Sequence, residues 1–307
     1  MTATSAPLPP PSTPEEAAAL ASRHGLRQVG VRPSLRQYVR ETWVRRDFAK
    51  YLANSRAYAE NQDTYLGQLW AVLNPVLNAA VYVLLFGFLL DTKRGMDNVV
   101  GFIVVGTFLY KFFQDCVNGG ANSIHKNLSL VRALHFPRVI LPLSNVMANL
   151  TSLLPTLGVM AGFILLSYFV PGTEWGGVDW EWLLIIPAIT LLYVFSLGVA
   201  FIVARLVAAL PDLQNVLGFV LRLGMYASGV IFSIDRYVGN LDNDALLAVM
   251  TYQPVAVYLD LARQAVLNES TIPLDGTKWL WGVGWALVFF VVGFIFFWRA
   301  EARYGRE

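Results

Sequence analysis

Six long apolar stretches follow one another along the chain, at residues 68–90, 99–117, 139–170, 182–210, 216–233 and 279–298. Crossing the ~30 Å hydrocarbon core of a bilayer takes about 20 mostly apolar residues in a helix. The pattern therefore predicts an all-α integral membrane protein with six transmembrane helices. Pro155 falls inside the third stretch, where a proline bends or breaks a helix. Arg222 interrupts the fifth.

Two further stretches show apolar periodicity without reaching span length. In residues 31–52, Leu35, Val39 and Trp43 recur every four positions, and Val44, Phe48 and Leu52 continue the series one position out of step. Arg36 and Arg40 lie off that stripe. This predicts an amphipathic interfacial helix on the inner membrane surface, its cations against anionic headgroups. Within 234–278, the run ALLAVMTYQPVAVYLDLARQAVLN is broken at Pro254. It predicts two short re-entrant outer helices within 240–270, ahead of the last span; such backbone is tolerated at membrane depth only when protein or a wet cavity covers it. The Pro- and Ala-rich start lacks a basic segment followed by an apolar core, so it does not read as a signal peptide. The expected organisation is a disordered cytosolic tail at 1–30, the interfacial helix and a connector at 31–66, the six-span domain at 67–300 and a short cytosolic tail at 301–307.

Composition agrees with the pattern. Hydrophobic residues make up 56% of the 307, and charged residues only 14%, against roughly 25% in soluble domains. The mean hydropathy is +0.50. Cys116, within an apolar run, is the chain's one cysteine, which rules out an intrachain disulfide. Neither a phosphate-binding G-x-x-x-x-G-K-[ST] loop nor an H-E-x-x-H zinc motif occurs, and three scattered histidines make no metal cluster. No cofactor is expected on this chain.

Charge placement gives the orientation. Nine Lys or Arg precede the first span, three lie between the second and third, and three follow residue 298; the opposite side holds five, offset by acids. Basic loops stay on the cytoplasmic side, so both termini are expected there. Trp175, Trp180, Trp182, Trp279, Trp281 and Trp298 fall at predicted span ends, where indole rings favour the interface. The cations thus point to a membrane surface, with no nucleic acid as partner.

The segment GGANSIHKNLSLVRALHFPRVILPL, residues 119–143, is a basic island between two apolar runs. Ile124, Leu128 and Val131 form one stripe at helical spacing, with Lys126 and Arg132 off it. Asn122 or Ser123 is placed to cap the start, and Pro137 stops the helix. By residues alone, this is either a docking helix or a loop obeying the positive-inside rule.

Four stretches, TWVRRDFAKY, TYLGQLWAVLNPVL, NLSLVRALHFPRVILPL and TYQPVAVYLDLARQAVL, resemble in order the landmarks of permeases of ABC-type polysaccharide exporters. The resemblance covers about residues 40–300 and is most similar to the mycobacterial-type exporter of lipid-linked galactan. It implies that residues 121–136 are a coupling helix, with Ile124, His125, Lys126, Leu128, Val131 and Arg132 meeting an ABC-type ATPase subunit. It implies that ATP and Mg are held by that partner. It also implies a second copy of this chain, a lipid-linked polysaccharide as cargo and a bacterial plasma membrane as location.

Charges within spans need a partner or a wet cavity, since each costs about 2.5–3.5 kcal/mol at the bilayer centre. Arg222 is a candidate to hold a lipid diphosphate in a guanidinium fork; the alternatives are pairing with Asp212 or Asp115, or snorkelling. Lys111 and Asp115, four apart, are expected to pair. Arg45, Arg46 and Lys50 either guide anionic headgroups toward the first span or anchor the surface helix. Tyr82, Phe86, Tyr110, Phe112, Phe113 and Tyr226 either line a glycan path or pack. A competing reading is an integral-membrane enzyme acting on polyprenyl-linked sugars, but the outer acids Glu174, Asp179 and Glu181 have no basic partner nearby in sequence. An ion-coupled carrier would carry internal repeats and midplane acids, and neither is evident.

Overall fold

A computed structural model of the chain describes residues 13–23, 33–59, 65–82, 84, 98–169, 177–234, 238–239, 243–267 and 272–304. Among these, every regular element is helical. Two helices, α2 (Leu35–Val44) and α3 (Arg46–Ala59), stand where one interfacial helix was predicted. Arg45 leaves helical geometry between them, and its N–H is shared between the carbonyls of Glu41 and Trp43. The break explains the one-residue phase slip in the apolar stripe: Leu35, Val39 and Trp43 belong to one axis, Phe48 and Leu52 to the other. Upstream, α1 (Pro14–Arg23) corrects the expectation of a wholly disordered tail. Thr13 Oγ1 accepts from Glu16 N at 3.2 Å, a side-chain cap that starts an Ala-rich helix.

Among the described residues, four helices are long and apolar enough to cross a membrane: α5 (Val99–Ala121), α7 (Ile140–Ser167), α8 (Ile185–Ala209, extended by a 3-10 turn from Trp180) and α12 (Gly276–Arg299). Their ends lie within four residues of the predicted spans. α7 runs straight through Pro155 as one helix of 28 residues. The other two predicted spans are shorter where described. α4 (Trp70–Tyr82) covers the first part of 68–90; Phe86 lies outside the described residues. α9 (Leu213–Ala227) has 15 residues, a rise of about 23 Å at ~1.5 Å per residue. It stops because Ser228 closes it and Gly229 turns the chain with φ +64°. Between α5 and α7 lies α6 (Leu128–Ala133), preceded by a 3-10 turn. Within 240–270 stand two short helices, α10 (Asp244–Tyr252) and α11 (Pro254–Val266), bent by 70°. Pro254 takes the first position of α11, where its missing N–H costs nothing.

The core is built on α5, whose residues from Gly101 to Tyr110 are all buried. Asn98 fixes its N-terminal end: its side chain caps Gly101 N at 2.8 Å and donates to Ser167 Oγ, at the end of α7, at 2.6 Å. On the far side, α8 and α12 meet backbone to backbone through Gly198 and Gly293. A Cβ on Gly293 would lie 2.2 Å from the Gly198 carbonyl oxygen. Without a strong hydrophobic drive between helices in lipid, small residues of this kind permit close packing.

Candidate functional site

Halfway along α5 the bundle encloses a cavity of about 350 Å³ between α3, α4, α5, α7 and α9. Its wall is polar for that depth. Asn74 and Asn78 come from α4, Lys111, Gln114 and Asp115 from α5, and Asn149, Ser152 and Thr156 from α7. Lys111 Nζ and Asp115 Oδ1 form an ion pair on one helical face, as the four-residue spacing predicts. Each of these charges thus has its partner, and the carboxamides and hydroxyls around them supply donors and acceptors of the kind that sugar hydroxyls engage. Pro75, inside α4, also lines the cavity and has no N–H to donate to the carbonyl one turn earlier, at Ala71.

The predicted aromatic path divides. Tyr110 and Phe112 line the cavity, but both are buried, and the Tyr110 hydroxyl donates to the Leu221 carbonyl on α9. Phe113 turns away from the cavity into the core, stacking on Phe195 of α8 with ring centroids 5.6 Å apart. Tyr226, on α9, presents an exposed ring; Tyr82 closes α4. Arg222 also lies exposed on α9 and pairs with neither expected acid; Asp115 is held by Lys111. Its neighbours Val216, Phe219, Val220 and Leu223 are exposed too.

The basic island is packed differently from expectation. Ile124 and Val131 are buried in the chain's own core, so the predicted stripe is not on offer to a partner. The face left outward carries His125, Lys126, Arg132, Leu134 and His135, with Leu128 half-buried. His125 Nε2 lies 3.1 Å from the Val207 carbonyl at the end of α8. Asn127 accepts from Arg56 Nη2 at 3.1 Å, and the same guanidinium reaches Ser144 Oγ at 2.8 Å and the Leu141 carbonyl at 3.1 Å. α3 is thereby tied to both the island and α7. Burial lowers the Arg56 guanidinium to about 10, which leaves it charged at neutral pH.

A second junction lies at the island's exit. Glu301 is buried and accepts from the Tyr38 hydroxyl at 2.6 Å and from Arg138 N at 3.0 Å, with the Arg138 guanidinium at 3.4 Å. The Tyr38 oxygen in turn accepts from Val139 N at 3.1 Å. Burial raises both the Glu301 carboxyl and the Tyr38 hydroxyl above their ordinary values; Glu301 raises Tyr38 further, whereas the bonds that Glu301 accepts from Arg138 and Tyr38 partly offset its own rise. A carboxyl raised in the folded state contributes stability that is complete below its unfolded value of 4.5 and is lost as pH rises through the folded value. Glu301→Gln keeps an acceptor but cannot ionise. The melting temperature of the unaltered chain is therefore expected to fall relative to that of Glu301→Gln as pH increases above 4.5; parallel curves would remove this account.

The sequence reading missed Arg263. It is 2% exposed, yet its guanidinium reaches four oxygens: the Phe102, Gly229 and Val230 carbonyls at 3.3, 3.0 and 3.1 Å, and Asp260 at 3.3 Å. It also lies over the Phe102 ring, 3.4 Å from its centroid. Asp260 is shared with Lys278 at 2.9 Å. Helix α11 is thus bolted to α5 and to the turn after α9. The available signal was that Asp260 and Arg263 are the charges within the otherwise apolar stretch of α11, three positions apart.

A family model described as "ABC-2 type transporter" matches residues 52–266. The chain is similar to the O-antigen export system permease protein RfbA of Myxococcus xanthus, 28% identical over 236 residues, which is 76% of this chain and 85% of that protein. It is 24% identical over 258 residues to the protein of the same name from Klebsiella pneumoniae, covering 84% of this chain and 93% of the relative. The polysialic acid transport protein KpsM of Escherichia coli is 23% identical over 206 residues, 66% of this chain and 74% of its own length.

Proposed function

Because the chain belongs to the ABC-2 type transporter family, we propose that it is the membrane-spanning permease of an ATP-driven exporter whose cargo is a lipid-linked polysaccharide. Its relatives are transport components, and the chain is one as well, not an enzyme. The support is the polar cavity halfway along α5, in a chain similar over most of its length to O-antigen export permeases. In this reading a galactan on a polyprenyl diphosphate carrier is the cargo, and a separate ABC-type ATPase holds ATP and Mg. The chain crosses the membrane six times with both ends cytosolic, α4 and α9 being parts of the first and fifth crossings. A second copy covers the exposed apolar face of α9, which brings Arg222 and Tyr226 to the shared path. There the guanidinium meets diphosphate and the ring meets sugar.

The coupling assignment falls on the outward face of the island. Lys126 and Arg132 select acids on the ATPase, with Leu134 as the apolar contact. Cells relying on a Lys126→Glu/Arg132→Glu chain are expected to accumulate lipid-linked polymer at the cytosolic face, as cells depleted of the chain do, while the permease remains in the membrane. Chemical analysis of that polymer identifies the cargo. Normal export by the double variant refutes the coupling assignment. Depletion without accumulation of any lipid-linked glycan, or purification that never brings down a nucleotide-hydrolysing subunit, refutes the exporter reading.

A further inference from the structure

A second concavity, of about 610 Å³, lies beneath the bend between α2 and α3. Its floor is apolar: Val39 and Trp43 of α2, Leu143 and Met147 of α7, and Phe294 of α12. Its rim is cationic. Arg36 and Arg40 stand one turn apart on α2, and Arg46 and Lys50 one turn apart on α3. The break at Arg45 lets both pairs border one opening. Lys50 pairs with Asp47 at 3.8 Å with both side chains largely exposed, an ion pair too solvated to neutralise the rim, and Glu41 on α2 accepts from Gln37. The Arg46 guanidinium also sits 5.5 Å from the centre of the Trp43 ring, at the boundary between rim and floor.

We propose that this groove holds one anionic phospholipid of the inner leaflet, its phosphate among Arg36, Arg40, Arg46 and Lys50 and an acyl chain along Val39, Met147 and Phe294. Charge complementarity identifies the headgroup: four cations over an apolar floor match a negatively charged amphiphile and leave a zwitterionic one without a counterpart for the excess charge. Position separates this lipid from cargo. Among the described residues, none from α4, α5 or α9 lines the groove, whereas those helices form the transport cavity. Arg46 and Lys50 therefore border a groove on the α7 and α12 side of the surface helix, which accords with the anchoring alternative for these residues. Arg45 takes no part in the groove. The bound lipid fixes the surface helices against α7 and α12. The inference does not depend on what the exporter carries.

The test is native mass spectrometry of the full-length chain in detergent, titrated with phosphatidylglycerol, phosphatidylcholine of the same acyl chains, or polyprenyl phosphate. Phosphatidylglycerol is expected to be retained preferentially, and Arg36→Gln/Arg40→Gln to weaken that retention about tenfold or more, each surface cation contributing on the order of 1 kcal/mol. Met147→Trp, which fills the floor and keeps every charge, is expected to weaken retention of the same lipid. The glutamine pair alters exposed side chains, so it reports even where Met147→Trp fails to fold. Equal retention of phosphatidylcholine, or unchanged retention by the glutamine pair, would overturn the proposal. Preferential displacement of phosphatidylglycerol by polyprenyl phosphate would overturn it too, by making the groove a cargo site.

Discussion

Arg263→Met should destabilise the protein by about 3–5 kcal/mol, the loss typical when one member of a buried charge pair is removed. The side chain is 2% exposed, so no water replaces what it donates. Its removal takes a donor from the Gly229 and Val230 carbonyls in the turn after α9 and from the Phe102 carbonyl of α5, and leaves Asp260 with Lys278. The cation–π contact with Phe102 disappears as well. Arg263→Lys keeps the charge but offers a compact ammonium in place of a planar fork, so an intermediate loss is expected. Thermal unfolding of the purified variants in detergent provides the measurement. A methionine variant that melts with the unaltered protein would show that α11 is held by packing alone.

Gly293→Val is expected to cost about 3 kcal/mol or more, at the upper end of what overpacking does. The atoms in the way are backbone: the Gly198 carbonyl oxygen at 2.2 Å and carbon at 3.0 Å from the added Cβ. Backbone has no rotamer to move into, so α8 and α12 have to separate along their contact. Gly198→Ala meets the same obstacle from the other side, 2.4 Å from the Phe289 carbonyl carbon. Gly284→Val on the same helix is the control, because nothing lies within 4 Å of its added Cβ; a change within about 0.5 kcal/mol is expected there. Equal losses at residues 284 and 293 would mean that helix propensity, not the crossing, sets the cost.

These two sites differ in how visible they were in the sequence. The helices that Gly198 and Gly293 join were legible, because α8 and α12 are uninterrupted apolar runs with tryptophans and charges at their ends. Which glycines touch was not, since close approach depends on how two distant helices cross. The island shows the same limit. The spacing of Ile124, Leu128 and Val131 revealed a buried face, but periodicity does not say what buries it, and the occupant is the chain's own core. The end of α9 was hidden because Gly229 looks like any small residue until its left-handed φ is known. The break between α2 and α3 did leave a trace, in the slip from Trp43 to Val44. Tyr38 and Glu301 left none, being 263 positions apart; a tyrosine on a surface helix and an acid near the chain's end each read as solvated.

That last contact changes what the end of the chain is for. Glu301 collects hydrogen bonds from Tyr38 and from the residue that follows Pro137, and Tyr304 stacks on Phe297 with centroids 4.7 Å apart. The Trp298 indole adds a bond to the Pro33 carbonyl at 3.0 Å. Three stretches remote in sequence are therefore clamped at one carboxylate, so torque applied near residue 138 reaches α2 at Tyr38 and the segment after α12 together. In mechanical terms the terminal residues act as a crankpin rather than a trailing thread.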